Sequence, residues 1–568
     1  MPVLLEGLAD RLYQACFGWV SRWPQTALLL LTLVCLLPFS GKAFHADDTL
    51  FIRAAQQITK HPLDPYGFRI VWYEYEKPMS RVTQNPPLAS YYLALVGAVA
   101  GWSERALHLG FLLPALGVVL GTYRLALRLT QRPLLAAAAT ALTPGFLVSA
   151  TNVMCDVMML GFFLLATVFW MDGLDEPGNS VNLAVSSLLI TVCALTKYFG
   201  IALIPLLLVY SLVRKRRLGG WIGFLLIPIV LLGAYELWSR GLYGHGLLSY
   251  GLYYTRGVRR QEREILTPLG HAVVGLAFAG GCTLPALTFV PWLWSRRQAL
   301  VGGALTSLLG LSFFNGWIDV GKCYVSDNWV LNHWEWVNIQ LLFCFAGGIS
   351  ILALTITDFW KKRDAASLLL LLWSAGTFYF AVAVNWTVNV RSLLPLIPAV
   401  AILIARRLDR FPQPRTGWRP LAWTVPLIMS GAVSLWVASG DAALANSARQ
   451  AAFYFHQQTR NEPGAVEFQG HWGFQYYMES FGARPLEQGV IASNPGDFIV
   501  VPVNNTNLFT LAQKTVLVKT VDFEVPSRVT TMSTDLGAGF YSLVWGPLPF
   551  AIGPVPNERY YMVRVVRR

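Results

Sequence analysis

Five groups of ionisable residues interrupt or border long apolar runs. The first is Asp47-Asp48 in HADDTLFIRAAQQI, a few residues beyond the first apolar run. Adjacent acids on a helix or loop point different ways. One can act as general base for a hydroxyl while the other orients it or binds a metal. A solvated loop pair is the competing reading. The second is Asp156 in NVMCDVMMLGFF, followed by a run uncharged as far as Trp170. An ionisable group at the end of a span faces a cavity or a partner, or is an acid favoured by the helix dipole. The third is Lys197 in ALTKYFG, alone between Asp175/Glu176 and Arg214. A phosphate partner or snorkelling to lipid headgroups would each account for it. The fourth is Arg256, Arg259, Arg260 and Arg263, suited to a phosphate or a headgroup, with Glu262 and Glu264 close enough to pair with them instead. The fifth is Arg391 in NWTVNVRSLLPLIP, a phosphate ligand or an interfacial anchor. Lys322, Trp329, His333, Trp334, Glu335 and Trp336 add a polar and aromatic stretch, for stacking on sugars or for an aromatic belt. Gly-rich nucleotide loops, metal-type His/Cys spacings and Ser-His-Asp motifs are not evident. The two adjacent acids leave room for a divalent cation, but nothing completes a ligand set, so the metal requirement stays unknown.

The elements that must position these residues are membrane spans. Of 568 residues, 55% are hydrophobic and 13% charged, where a soluble protein carries about 25% charged residues. That excludes a soluble enzyme, a disordered chain and a disulfide scaffold. The seven cysteines lie mostly in apolar runs, and none follows Cys344. The apolar run Thr26 to Phe39 has no small-x-small cleavage site after it, so it is expected to be a span and not a removed leader.

About thirteen apolar runs qualify as spans of an all-α polytopic bundle: 24–41, 105–127, 133–150, 155–172, 181–195, 199–213, 220–238, 268–294, 299–314, 337–357, 366–384, 392–405 and 421–438. The basic clusters Arg124/Arg128/Arg132, Arg214 to Arg217, Arg296-Arg297, Lys361 to Arg363 and Arg406/Arg407/Arg410 all become cytoplasmic if the N-terminus is cytoplasmic and 88–102 is not a span. Residues 88–102 are therefore read as a helix on the outer face, within a first outer loop of 42–104. Residues 1–439 form the membrane domain, and 440–568 a small extracytoplasmic α/β domain. In that domain a helix is expected over 442–459 and strands over 498–503, 515–521, 541–545 and 560–566. Much of the net charge of +13 thus fixes orientation, and nucleic acid is not implied as a partner.

The segments ADDTLFIRAAQQI, HPLDPYGFRI, NPPLASYYLAL and SERALHLGFLLPALGVVLGTYRLALRL resemble the first half of the polytopic glycosyltransferases of GT-C fold. The likeness is to bacterial protein O-mannosyltransferase-like enzymes and lipid A aminoarabinose transferases. It continues through LTPGFLVSATNVMCDVMMLGFFLLATVF, LTKYFGIALIPLLL, NVRSLLPLIP and GHWGFQYYMESFGARPL. It implies an inverting transferase in a bacterial cytoplasmic membrane. Such an enzyme moves a sugar from a polyprenyl-phosphate donor to a lipid, glycan or protein acceptor on the outer face. It maps the catalytic acid onto Asp47, the acid before the fourth span onto Asp156 and the hairpin lysine onto Lys197. One departure is Asn85, where the aminoarabinose transferases carry a lysine; phosphate contacts would then come from Arg81, Lys77 or the Arg256–Arg263 loop. The rival readings are a flippase of lipid-linked sugars and a non-enzymatic membrane scaffold.

Overall fold

The computed structural model describes residues 18–72, 74–175, 180–263, 266–318, 334–411, 421–490 and 493–566, without the side chains of 258–263, Phe314, Trp334, 421 and 422. Lys322, Trp329, His333 and the Trp334 side chain lie outside the described residues. Glu335 and Trp336 lie in the first turn of the 29-residue helix Trp334–Lys362, and the Trp336 indole donates to the Ile552 carbonyl at 2.6 Å.

The chain is mostly helical and is a multi-pass membrane protein. Among the described residues seven helices are long and apolar enough to cross a membrane: Glu104–Leu129, Cys155–Asp175, Tyr198–Lys215, Trp221–Tyr243, Glu335–Lys362, Ala365–Val384 and Trp423–Thr459. Residues 133–150 form two helices, Pro133–Ala141 and Pro144–Ala150, bent by 61°. Proline cannot continue the first helix, and Thr143 caps the second by accepting from the Phe146 N–H. The expected span 268–294 is likewise divided into Pro268–Cys282, Pro285–Thr288 and Val290–Leu293. Leu88–Ala100 is a helix of 13 residues, short for a crossing.

Small residues let two of these helices meet closely. A Cβ added at Gly280 would lie 2.0 Å from the Cys344 carbonyl oxygen, and one at Gly348 would lie 2.2 Å from that of Leu276. The glycines of AFAGGC and FAGGIS thus bring backbone against backbone, the packing by which helices associate where hydrophobic burial gives no advantage over lipid. On the outside of the bundle, Leu226, Ile229, Val230 and Leu237 of the Trp221–Tyr243 helix are exposed, as a lipid-facing surface requires.

The basic clusters gather at one end. Arg128 and Arg214 share Asp175, at 3.0 and 3.2 Å. Arg132 donates to the Phe411 carbonyl, Arg410 to that of Trp292, and Arg406 pairs with Asp358. Asp175 ends the helix that Cys155 begins. Its 21 residues span roughly 30 Å, so Asp156 lies at the opposite end from the basic clusters.

One helix, Leu421–Thr459, runs through the 439/440 division drawn from the sequence. Beyond it lies a five-stranded mixed sheet. Its order is Arg484–Pro485, Val466–Phe468, Phe498–Pro502, Glu558–Val565, Thr515–Phe523, with Glu558–Val565 antiparallel to both neighbours. The strand expected over 541–545 is corrected by the structure. Leu543–Trp545 is a 3₁₀ turn, because the Ser542 hydroxyl accepts from the Val544 N–H and starts a turn there.

Candidate functional site

The site is built where the first outer loop, the Cys155 helix, the Lys197 hairpin and the Arg391 turn converge. Asp47 precedes the helix Asp48–Lys60. Ala46, just before it, has a φ of +44°, a left-handed conformation costing about 1–2 kcal/mol outside glycine. Asp48 holds this strained turn. One of its oxygens accepts from the His45 N–H and the other from the Val153 N–H, each at 2.9 Å. The two acids that the sequence sets side by side are therefore separated. Asp48 is fully buried, and burial pushes its carboxyl up to about 7, against the pull of Lys42 and the two amides. Asp47 lines the cavity, and a third of its side chain is accessible. With both its oxygens engaged, Asp48 is turned away from any cation that Asp47 could hold. Among the described residues no three His, Cys, Asp or Glu side chains come together as a metal set.

Facing Asp47 is Arg391, whose Nη1 lies 2.9 Å from its carboxylate. Arg391 sits in the turn Val390–Leu393, started by Asn389, whose side chain accepts from the Ser392 N–H. The turn is clamped from behind by the distal part of the chain. Val390 N–H donates to the Phe540 carbonyl, and Leu543 N–H to that of Val388, both at 2.9 Å. Arg391 Nε lies 3.8 Å from Asp156, and Lys197 Nζ lies 2.5 Å from the other Asp156 oxygen. Asp156 is buried in the first turn of its helix; Lys197 and Arg391 keep about a seventh of their side chains accessible. Four of the sequence-derived residues thus form one charge cluster, two acids interleaved with two cations.

The arginine loop does not join it. Arg256 is exposed on the helix Leu247–Arg263 and does not line the cavity. The side chains of Arg259, Arg260 and Arg263 lie outside the described residues. Lys77 and Arg81 line a separate hollow with Tyr66, Tyr243, His245 and Tyr250, whereas Asn85 lines the main cavity.

That cavity measures about 1100 Å³. Phe163, Phe199, Ile201, Leu206, Val209 and Leu372 make an apolar wall on membrane-crossing helices. Asp47, Gln84, Asn85, Asn389 and Arg391 line its polar end.

Sequence reasoning missed a buried network behind the site. Lys42 Nζ donates to Asp441 at 2.5 Å and to Asn152 at 2.6 Å. Asp441 also accepts from the hydroxyls of Thr531 and Tyr541. His45 lies beside it, 3.9 Å from Asp441, with burial lowering its imidazole to about 4. Three other stretches of chain, at Lys42–His45, Thr531 and Tyr541, meet at Asp441, and Tyr541 reaches from there to the cavity wall. The available signal was a lone acid inside the long apolar helix pattern ending the membrane region.

Residues 84–238 match the family model described as dolichyl-phosphate-mannose-protein mannosyltransferase. No curated protein matches the sequence. Among solved structures, the Archaeoglobus fulgidus oligosaccharyltransferase tethered with an acceptor peptide is 11% identical, with a TM-score of 0.47 over 83% of this chain and 65% of its own. ArnT from Cupriavidus metallidurans is 16% identical, with a TM-score of 0.40 over 86% of this chain and 93% of its own. The mycobacterial arabinofuranosyltransferase AftD is 11% identical, with a TM-score of 0.41 over 97% of this chain and 40% of its own. Over residues 84–238 the chain thus resembles that mannosyltransferase family, and it spans less than two thirds of the oligosaccharyltransferase's length.

Proposed function

We propose that this protein is an inverting glycosyltransferase. It moves a sugar from a polyprenyl-phosphate donor to a lipid, glycan or protein acceptor on the outer face of a bacterial cytoplasmic membrane. The observation that carries this reading is the cavity. Its apolar wall lies on spanning helices and its polar end holds an accessible carboxylate opposite two cations. A lipid chain entering along the wall would bring its phosphate to Lys197 and Arg391. In the thirteen-span topology this end is extracytoplasmic, because the basic clusters occupy the other. Residues 440–568 form the outer domain that closes over it.

The reaction follows from the charges. Asp47 takes the proton of the acceptor hydroxyl, and that oxygen bonds to the anomeric carbon from one side. The bond from that carbon to the phosphate oxygen breaks on the other side. The phosphate leaves with the electron pair, its charge stabilised by Lys197 and Arg391. Asp156 keeps both cations in place. Arg391 exchanges part of its contact with Asp47 for the phosphate when donor binds, which frees the base.

The test is Asp47→Asn in the purified full chain. Transfer is expected to fall by about 10²–10⁴-fold while undecaprenyl phosphate still binds. Transfer at the parent rate would remove Asp47 from the mechanism.

A further inference from the structure

At the polar end of the cavity Trp472 has a φ of +62°. For a bulky residue this is an outlier, costing about 1–3 kcal/mol, whereas glycine would adopt it freely. Glycines stand near it on both sides, at 470 and 473. Gly470 has a φ of +96°, and a Cβ added at Gly473 would lie 2.1 Å from the Phe44 carbonyl oxygen. That contact, with the bond from the Phe44 N–H to the Tyr477 hydroxyl at 2.9 Å, presses the helix Trp472–Ser480 against the chain three residues before Asp47. The strained position thus carries the one residue of GHWGF whose ring is half-buried at the cavity wall. Behind it lies the buried Trp545, ring centroids 5.8 Å apart.

The charge of the cavity narrows what that ring meets. Among the described lining residues only Asp47, Lys197 and Arg391 are charged. The one acid is paired with Arg391 and the lysine with Asp156. When donor draws Arg391 away, Asp47 serves as base for the acceptor hydroxyl, so the described lining holds no second carboxylate for a ligand ammonium; the rest of its polar groups are amide, hydroxyl and indole. Amides and a flat ring face suit hydroxyl groups and the C–H face of a sugar. We propose that Trp472, seated on Trp545, is a stacking platform for an uncharged sugar ring, which fixes the ring beside Asp47. This rests on the transferase reading and names the class of sugar it takes.

The experiment uses the full chain in lipid nanodiscs, with four probes: undecaprenyl phosphate, undecaprenyl-phosphate glucose, undecaprenyl-phosphate 4-amino-arabinose, and methyl glucoside added after saturation with undecaprenyl phosphate. Trp472→Gly removes the ring and relaxes the backbone, and Trp472→Phe keeps a ring. If the donor sugar stacks, the parent binds the glucose-bearing lipid about tenfold more tightly than the bare lipid. Trp472→Gly loses that ratio with bare-lipid affinity unchanged, and Trp472→Phe keeps most of it. If the acceptor sugar stacks, the same pattern appears with methyl glucoside. A merely structural Trp472 would lower the melting temperature of the variants and leave both ratios as in the parent, which overturns the proposal. A preference for the amino sugar over glucose also overturns it. A parent that binds glucoside through Trp472 but no undecaprenyl phosphate would refute the lipid-donor reading and leave the platform standing.

Discussion

Lys197 is the residue at which pairing and chemistry can be pulled apart. Its ammonium lies 2.5 Å from Asp156, whose side chain is 3% exposed, and the remaining cation, Arg391, is 3.8 Å away. Lys197→Met therefore leaves a buried carboxylate with one distant partner. Breaking such a pair costs about 3–5 kcal/mol, and the Arg391 contact at 3.8 Å places the expected loss at the lower end. The double variant Lys197→Met/Asp156→Asn removes the orphaned charge and should recover most of that stability. It should not recover activity. A cation that stabilises a leaving phosphate is worth about 10²–10³ in kcat, and the neutral pair supplies none. Thermal unfolding of the four proteins in detergent gives the stability cycle, and single-turnover transfer gives the rate cycle. If the double variant regains the parent's turnover along with its stability, Lys197 serves only to neutralise Asp156, and its role toward the phosphate is refuted.

Three other predictions follow from the same geometry. Lys42→Met leaves Asp441 buried with only hydroxyl donors, so it should destabilise the fold by about 3–5 kcal/mol, and Lys42→Met/Asp441→Asn should recover most of this in a melting experiment. Asp48 binds its proton more tightly folded than unfolded, with a carboxyl raised from about 3.8 to about 7. Its contribution to stability is therefore full below about pH 4 and lost as pH rises through 7. The melting temperature of the parent should fall relative to Asp48→Asn across that window and stay parallel above it; parallel curves throughout would refute the assignment. Gly348→Leu would drive a side chain into the Leu276 carbonyl. It should separate two packed helices and abolish the folded peak in size-exclusion chromatography, whereas Gly376→Leu, with open space around it, should not.

How far the site could be read in the sequence depended on whether its residues were isolated by their surroundings. Asp156, Lys197 and Arg391 each stand at the edge of an uncharged run, where a charge needs a reason, and the structure brings all three together. The division of labour between Asp47 and Asp48 was not legible. It depends on the left-handed turn at Ala46 and on the Val153 amide, 105 residues away. The Lys42–Asp441 pair joins positions 399 apart, and no local pattern announces it. Arg256 looked equivalent to the site cations because outer arginines are alike in sequence; only the helix Leu247–Arg263 determines which face the residue takes. Among the described residues seven of the thirteen expected spans are helices long and apolar enough to cross, and apolar length passed over the breaks at Pro144 and Pro285, where hydrophobicity continues and the backbone does not.

In-line displacement driven by the cavity-facing Asp47 carboxylate is tested most directly by the configuration of the product. The purified chain, supplied with a β-linked undecaprenyl-phosphate hexose and its acceptor, should yield an α-linked product by nuclear magnetic resonance, and Asp47→Asn should yield almost none. A β-linked product would contradict in-line displacement, because retention needs a side-chain nucleophile besides the base, and Asp47 is the one acid among the described lining residues.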